Sequence, residues 1–361
     1  MQSSFKGMMK KVFNKLRRTK KAPEQPQRIT TDTIAEHRER MLAGGRRFKY
    51  PVQYARHKLV FNAIIVSVAA IILLMVITWW QLYIVQNTSD FMYRVTRVIP
   101  VPVANVDGTQ VRYSDYLMKY RSSIHYLQEK ERINLSTDDG KRQTDFVKNE
   151  AMKDAVADAY AAKIAQERTI TISDAELEQF LQEQRTSTDG NVSQSTYDAV
   201  ILDYYGWSPQ EYREAMKNKL IRQKVSFAID EKAEKASKQV SDAIKAGGTD
   251  FRALSEQLTT AGAQVTYGAL GFLPRTNQDG GVTAAAAKLE KGQISAAIQS
   301  TTGDGYYFVK LIDSNATQVN YEYIQVPLTA FNEEIRQARE ATERVKEYIA
   351  IPEVKTTNTN Q

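Results

Sequence analysis

From Leu59 to Val85 the chain reads LVFNAIIVSVAAIILLMVITWWQLYIV, with no charged residue before Asp90. At ~1.5 Å per residue this run makes a helix of about 40 Å, enough to cross a hydrocarbon layer of ~30 Å with some tilt. A secretory signal peptide is the competing reading. It fits poorly, because the run is too long for a signal core, follows a long basic segment and has no small-residue cleavage site behind it. Trp79, Trp80 and Tyr83 gather near its far end, where amphipathic rings favour the membrane–water boundary. Arg46, Arg47, Lys49, Arg56 and Lys58 crowd the N-terminal flank, against Arg94 and Arg97 on the other. The positive-inside rule therefore predicts a cytoplasmic tail over 1–58, a transmembrane helix over 59–85 and extracytoplasmic residues beyond.

The net charge of +7 is concentrated in one place: Met1–Lys58 carries 16 Lys and Arg against 4 acidic residues, so this segment is +12 and the rest −5. Nucleic-acid binding has no motif behind it and is not expected. There are no cysteines and only three histidines, His37, His57 and His125. Thiolate catalysis, disulfides and cysteine zinc sites are excluded, and neither a metal nor a cofactor is expected. The opening KGMMKKVFNKLRRTKKAPEQPQ reads either as a short helix on the anionic inner leaflet or as a solvated tail.

Beyond the apolar run, residues 86–100 read as a stalk. VPVANVDGTQVRYSDYL then reads as two strands about an Asp107-Gly108 turn, followed by a helix from Ser114. Met152, Val156, Tyr160 and Ile164 recur at i+4 on one helical face. SDAE (Ser173–Glu176) and SPQE (Ser208–Glu211) match the capping box, the second with Pro209 at the first helical position. The polar segment RTSTDGNVSQST separates the two.

In their order, ANVDGTQVRYSDYL, NEAMKDAVADAYAAKIAQERTITISDAELEQFL and YGWSPQEYREAMKNKLIRQKV resemble the N-terminal chaperone domain of SurA, PrsA and PpiD-like foldases, over residues 101–228. From Val225 the order is VSFAI as a strand, a Lys/Ala-rich helix, DFRALSEQL, YGALGF, an Ala-rich helix ending KLEKGQIS, and GYYFVKLID as a closing strand. This resembles a parvulin (PpiC-type rotamase) domain over 229–313. The resemblance implies an α+β protein: a mostly α-helical chaperone domain and a β-α-α-β-α-β domain behind a single transmembrane helix.

The X-Pro bond is hard to rotate because of amide resonance, and catalysis needs an apolar slot with polar groups that favour the twisted amide. Parvulins place one histidine on the first strand and one on the last. Phe227 and Tyr307 take these positions here, and the family's Cys/Asp position falls near Thr260 or Ala261. The resemblance places substrate-gripping residues at Leu270, Phe272, Gln278 and Val282. Phenylalanine offers no hydrogen bond, so the catalytic network is expected to be degenerate and Tyr307 to be a core tyrosine.

VNYEYIQVPLTAFNEEIRQAREATERVKEYI gives a strand and a helix of about five turns over 314–350. It reads either as a C-terminal helix returning to the chaperone domain or as a truncated second parvulin repeat, with Tyr323 in the histidine position. Residues 351–361 read as a disordered end. The expected function is a membrane-anchored extracytoplasmic chaperone with weak or absent isomerase activity. An active parvulin isomerase and a non-chaperone envelope scaffold are the alternatives. Expected partners are unfolded or proline-containing exported polypeptides, the lipid bilayer and, as a homodimer, a second copy.

Overall fold

The computed structural model describes residues 30–48, 51–187, 190–341 and 343–352. The expectations for the opening tail and the extreme C-terminus lie largely outside them. The chain divides into two units, Met1–Ile77 and Thr78–Gln361.

In the first unit, α1 (Thr31–Phe48) is a helix the sequence reading did not foresee. It precedes α2 (Pro51–Tyr83), whose segment His57–Tyr83 is long and apolar enough to cross a membrane, with its apolar side chains from Leu59 to Ile77 exposed.

The second unit begins with the last turn of α2, where Leu82 is wholly buried. The expected stalk is corrected: Asp90–Val98 forms helix α3, capped by Ser89, with Met92, Tyr93 and Thr96 buried. Strands β1 (Pro102–Val106) and β2 (Thr109–Arg112) follow as an antiparallel hairpin. Asp107 and Gly108 both take positive φ, +46° and +85°, the turn geometry whose twist suits two-residue hairpins. Helices α4 (Tyr113–Glu129), α5 (Asp138–Glu167), α6 (Asp174–Gln184), α7 (Gln194–Tyr205) and α8 (Pro209–Ile229) come next, with a short hairpin, β3 (Thr186–Ser187) and β4 (Gly190–Asn191), after α6. The predicted face of α5 is buried from Met152 to Ile164. Ser208 and Glu211 form the full capping box of α8. At α6 only half of the box forms: Ser173 caps, while the Glu176 carboxylate turns to Lys224 Nζ, 2.7 Å away on α8.

After α9 (Glu231–Lys245) and α10 (Phe251–Thr260) come β5 (Thr266–Pro274), α11 (Val282–Ala286), β6 (Ile298–Gln299), β7 (Gly305–Ser314) and β8 (Gln318–Pro327). The four strands form an antiparallel sheet of order β5-β8-β7-β6. One expectation is overturned. VSFAI is not a strand but the last turn of α8, because Leu220, Ile221, Val225 and Ala228 continue the helical spacing and nothing breaks it before Asp230. The interior strand beside β5 and β7 is instead β8.

The expected five-turn helix is shorter, α12 (Ala330–Glu340). Its Phe331 and Ala338 join the core of the helical region, and the Tyr160 phenol donates to Glu334 at 2.7 Å. β9 (Val345–Glu347) then pairs with β1, and Arg344 grips Asp107 through two hydrogen bonds of 3.1 and 2.7 Å. Of the two readings of 314–350, the returning helix is the one observed, while a second repeat is corrected: β8 completes the existing four-stranded sheet and opens no new one.

Candidate functional site

Successive residues of a strand leave it on opposite faces, and β7 uses this to separate two environments. Tyr306 and Phe308, with Ile324 and Val326 of β8, pack under α9 and α10. Tyr307, Val309 and Leu311, with Val319, Tyr321 and Tyr323 of β8, form the other face with α11. Phe227 meets Tyr306 edge-on, ring centroids 5.0 Å apart. It belongs to the helix side, so the expected pairing of Phe227 with Tyr307 is corrected: the sheet lies between them. The ring beside Tyr307 is Tyr323, centroids 5.5 Å apart.

On this tyrosine face the Tyr307 and Tyr321 hydroxyls are committed to carboxylates. Tyr307 donates to Asp304 Oδ2 at 2.7 Å. Tyr321, 1% exposed, donates to Asp279 Oδ2 at 2.7 Å and lies 2.9 Å from Thr283 Oγ1. Asp279 in turn accepts from the Thr283 backbone N–H at 2.9 Å and its hydroxyl at 2.5 Å, anchoring the start of α11. Burial, reinforced by the Asp304 carboxylate, pushes the Tyr307 phenol well above its ordinary pKa. Burial does the same to Tyr321, with Asp279 adding to it. Both are therefore neutral phenols at physiological pH. Partial burial works to raise Asp304, but hydrogen bonds from Ser300, Tyr307 and Thr302 prevail and hold it below the usual aspartate value. Gly268 lies opposite Tyr323 on β5, and a Cβ there would fall 2.2 Å from the tyrosine ring. Glycine leaves the room in which Tyr323 lies flat.

The other expected site residues scatter. Thr260 turns its hydroxyl back to the Glu256 carbonyl of its own helix at 2.8 Å. Val282 is 2% exposed and belongs to the tyrosine-face core, so it grips nothing from outside. Leu270 is exposed at a β5 bulge formed around Gly271, φ +76°. Phe272 is exposed and alternates with Leu273, which faces the tyrosine core; Phe272 therefore leaves from the opposite face. Gln278 reaches away to the Thr186 carbonyl at 3.4 Å. Asp279, Thr283, Asp304 and Tyr321 were missed. An aspartate ahead of a short helix and alternating tyrosines in NYEYIQV were the only signals, and neither says that the two meet.

On the helix side a cleft of ≈ 680 Å³ opens between α6, α8 and the sheet. Phe180, Leu220, Phe227 and Tyr306 make its apolar wall, and Glu176, Glu183, Lys224 and Glu234 its polar surround. Gln223 crosses it, donating from Nε2 to the Ser300 carbonyl at 2.8 Å. Its Oε1 is buried without a hydrogen-bond partner among the described residues.

Residues 53–226 match the family model of the SurA-like N-terminal domain, and residues 220–313 that of the PPIC-type PPIASE domain. This is the domain pair of a SurA/PrsA-like foldase. The two matches meet on α8, the helix that carries Gln223 and Phe227, and the second ends before β8. The interior strand of the rotamase sheet thus comes from outside the matched segment. No curated protein matches the chain. Among solved structures it is similar to a SurA-like chaperone of Campylobacter jejuni, from a study of the virulence factor PEB4 and the periplasmic protein Cj1289. Identity is 13% over 68% of this chain and 91% of that one, with a TM-score of 0.24. The family matches, and not this loose superposition, carry the assignment.

Proposed function

We propose that this foldase is anchored by α2 as a single-pass, N-in membrane protein and holds unfolded exported polypeptides outside the cytoplasm, with weak or absent prolyl isomerase activity. In this reading residues 101–228 are the chaperone domain, 229–313 the rotamase domain, and β8 and α12 tie the two together. The cleft carries the proposal: its apolar wall of Phe180, Leu220, Phe227 and Tyr306 takes up side chains of a non-native client, and the charged groups around it, Glu176, Glu183, Lys224 and Glu234, meet the client's polar groups. Weak isomerisation follows from the tyrosine face, where the Tyr307 and Tyr321 protons are held by Asp304 and Asp279. A donor already bound to a carboxylate gives little extra stabilisation to a twisted amide.

The full chain in lipid nanodiscs is expected to suppress aggregation of an unfolded client at a near-stoichiometric ratio, and Phe227→Asp to abolish this while the fold persists. Unchanged suppression in Phe227→Asp removes the cleft as the holding site. Protease added outside sealed, wall-stripped cells is expected to cut epitopes beyond residue 100 and spare those before residue 50; the reverse pattern ends the extracytoplasmic reading. The second reading, an active isomerase, is favoured by the gathering of Tyr307, Tyr321 and Tyr323 on one face.

A further inference from the structure

The helix α3 has two apolar faces, and the fold uses only one. Met92, Tyr93 and Thr96 enter the core. Phe91 and Val98, seven residues apart and so on a common side of the helix, are 67% and 82% exposed, and Ile99 beyond them is 56% exposed. Exposed Ile84 and Val85 and the exposed rings of Trp79 and Trp80 extend the same apolar character back to the end of the charge-free run. An exposed apolar set of this density on one short stretch marks a surface that something covers.

The outer face cannot turn inward, because the inner one is fixed at several points. The Tyr93 phenol donates to Glu211 Oε1 at 2.6 Å, and the Arg121 guanidinium pairs with Asp90 and lies 4.5 Å from the centre of the Tyr93 ring. Upstream, Tyr113 donates to the Leu82 carbonyl at 2.8 Å and Tyr83 to the Pro102 carbonyl at 2.5 Å. The chain that leaves the apolar run is thus built into the core of the second unit.

The geometry points to a lipid surface as the occupant: Phe91, Val98 and Ile99 enter the boundary between headgroups and acyl chains, and Arg94 lies at the lipid phosphates. This rests on the membrane-spanning reading of α2 and goes beyond it, since a spanning helix alone does not require α3 to touch lipid. Two observations favour lipid over a protein partner. The patch follows directly on the run whose end carries Trp79 and Trp80, side chains suited to the interface. Arg94 sits between Phe91 and Val98 on α3, is exposed, and has no ion-pair partner among the described residues, whereas its neighbour Arg97 is engaged by Glu211 and Glu214 at 3.5 and 3.2 Å. A long cationic side chain in the middle of an apolar face reaches out to headgroup phosphate.

The chain contains no cysteine, so one introduced cysteine carries one spin label. Full-length Phe91→Cys and Val98→Cys are labelled and reconstituted into vesicles of phosphatidylcholine and phosphatidylglycerol, with Ile72→Cys reporting on the span and Lys245→Cys on a water-exposed site. Collision with oxygen, which enters lipid, is compared with collision with a water-soluble nickel chelate. The expected result is an oxygen-to-nickel ratio at 91 and 98 several-fold above that at 245, with Arg94→Glu moving the label at 98 towards water as the phosphatidylglycerol fraction rises. Water-like ratios at 91 and 98 with a lipid-like ratio at 72 overturn the inference and leave the spanning reading intact. Water-like ratios at 72 as well remove both. Labels shielded from both reagents mean that protein covers the face, which also overturns it.

Discussion

The two faces of the rotamase sheet are made by the same strands and do opposite things with their tyrosines. Tyr306 points to the helix side, where its ring meets Phe227 and forms part of a cleft wall. Tyr307, the next residue, points to a face where hydroxyls and carboxylates satisfy one another. A one-residue step along a strand thus separates an apolar cleft wall from a network in which Tyr307 and Tyr321 donate to carboxylates. The first offers apolar surface to a client; on the second the Tyr307 and Tyr321 hydroxyls have spent their hydrogen bonds internally. This difference is why holding a client, rather than twisting a proline bond, is the activity proposed.

The largest expected effect comes from the helix side. Phe308 is 1% exposed under α9 and α10, and Phe308→Ala leaves a cavity costing ~3–5 kcal/mol, read as a lower denaturant midpoint of the full chain in detergent. A cost under ~1 kcal/mol would mean that this face is not a packed core. On the other face Tyr321→Phe keeps the ring but removes the hydrogen bond its phenol gives to Asp279, for a loss of ~1–3 kcal/mol with client holding unchanged. Should holding fall with it, the two faces are not independent and the comparison fails.

A smaller effect follows from Asp304. Its folded pKa is depressed, so its contribution to stability is present above the unfolded value of 3.8 and is lost as pH falls through the lower folded one. As pH falls below the unfolded value of 3.8, the wild-type chain is expected to lose stability more steeply than Asp304→Asn. Identical acid profiles would show that the hydrogen bonds from Ser300, Thr302 and Tyr307 add nothing to folding.

Local chemistry was the legible part of this fold. The Asp107-Gly108 turn, the box at Ser208 and Glu211, and the Gly305–Ser314 strand all rest on neighbours in sequence. What failed needed distant partners. VSFAI alternates like a strand over five residues and continues a helix over twenty-one, and no local rule decides between periods in so short a run. Which strand fills the interior of the sheet depends on β8 returning beside β5 and β7. Only that pairing shows that Tyr323, not Phe227, is the neighbour of Tyr307. The helix α3 left a faint signal, Ser89-Asp90 as cap and first-turn acid, but lay in a stretch read as a stalk.

The central claim is that the cleft holds clients while the tyrosine face does little chemistry. Its most direct test measures protease-coupled X-Pro isomerisation and aggregation suppression on one nanodisc preparation of wild-type, Phe227→Asp and Tyr307→Phe chains. Strong suppression and little isomerisation are expected in the wild type, loss of suppression in Phe227→Asp alone, and no change in either activity in Tyr307→Phe beyond a small drop in stability. Strong wild-type isomerisation that disappears in Tyr307→Phe at unchanged melting temperature would contradict it and make the tyrosine face an active site.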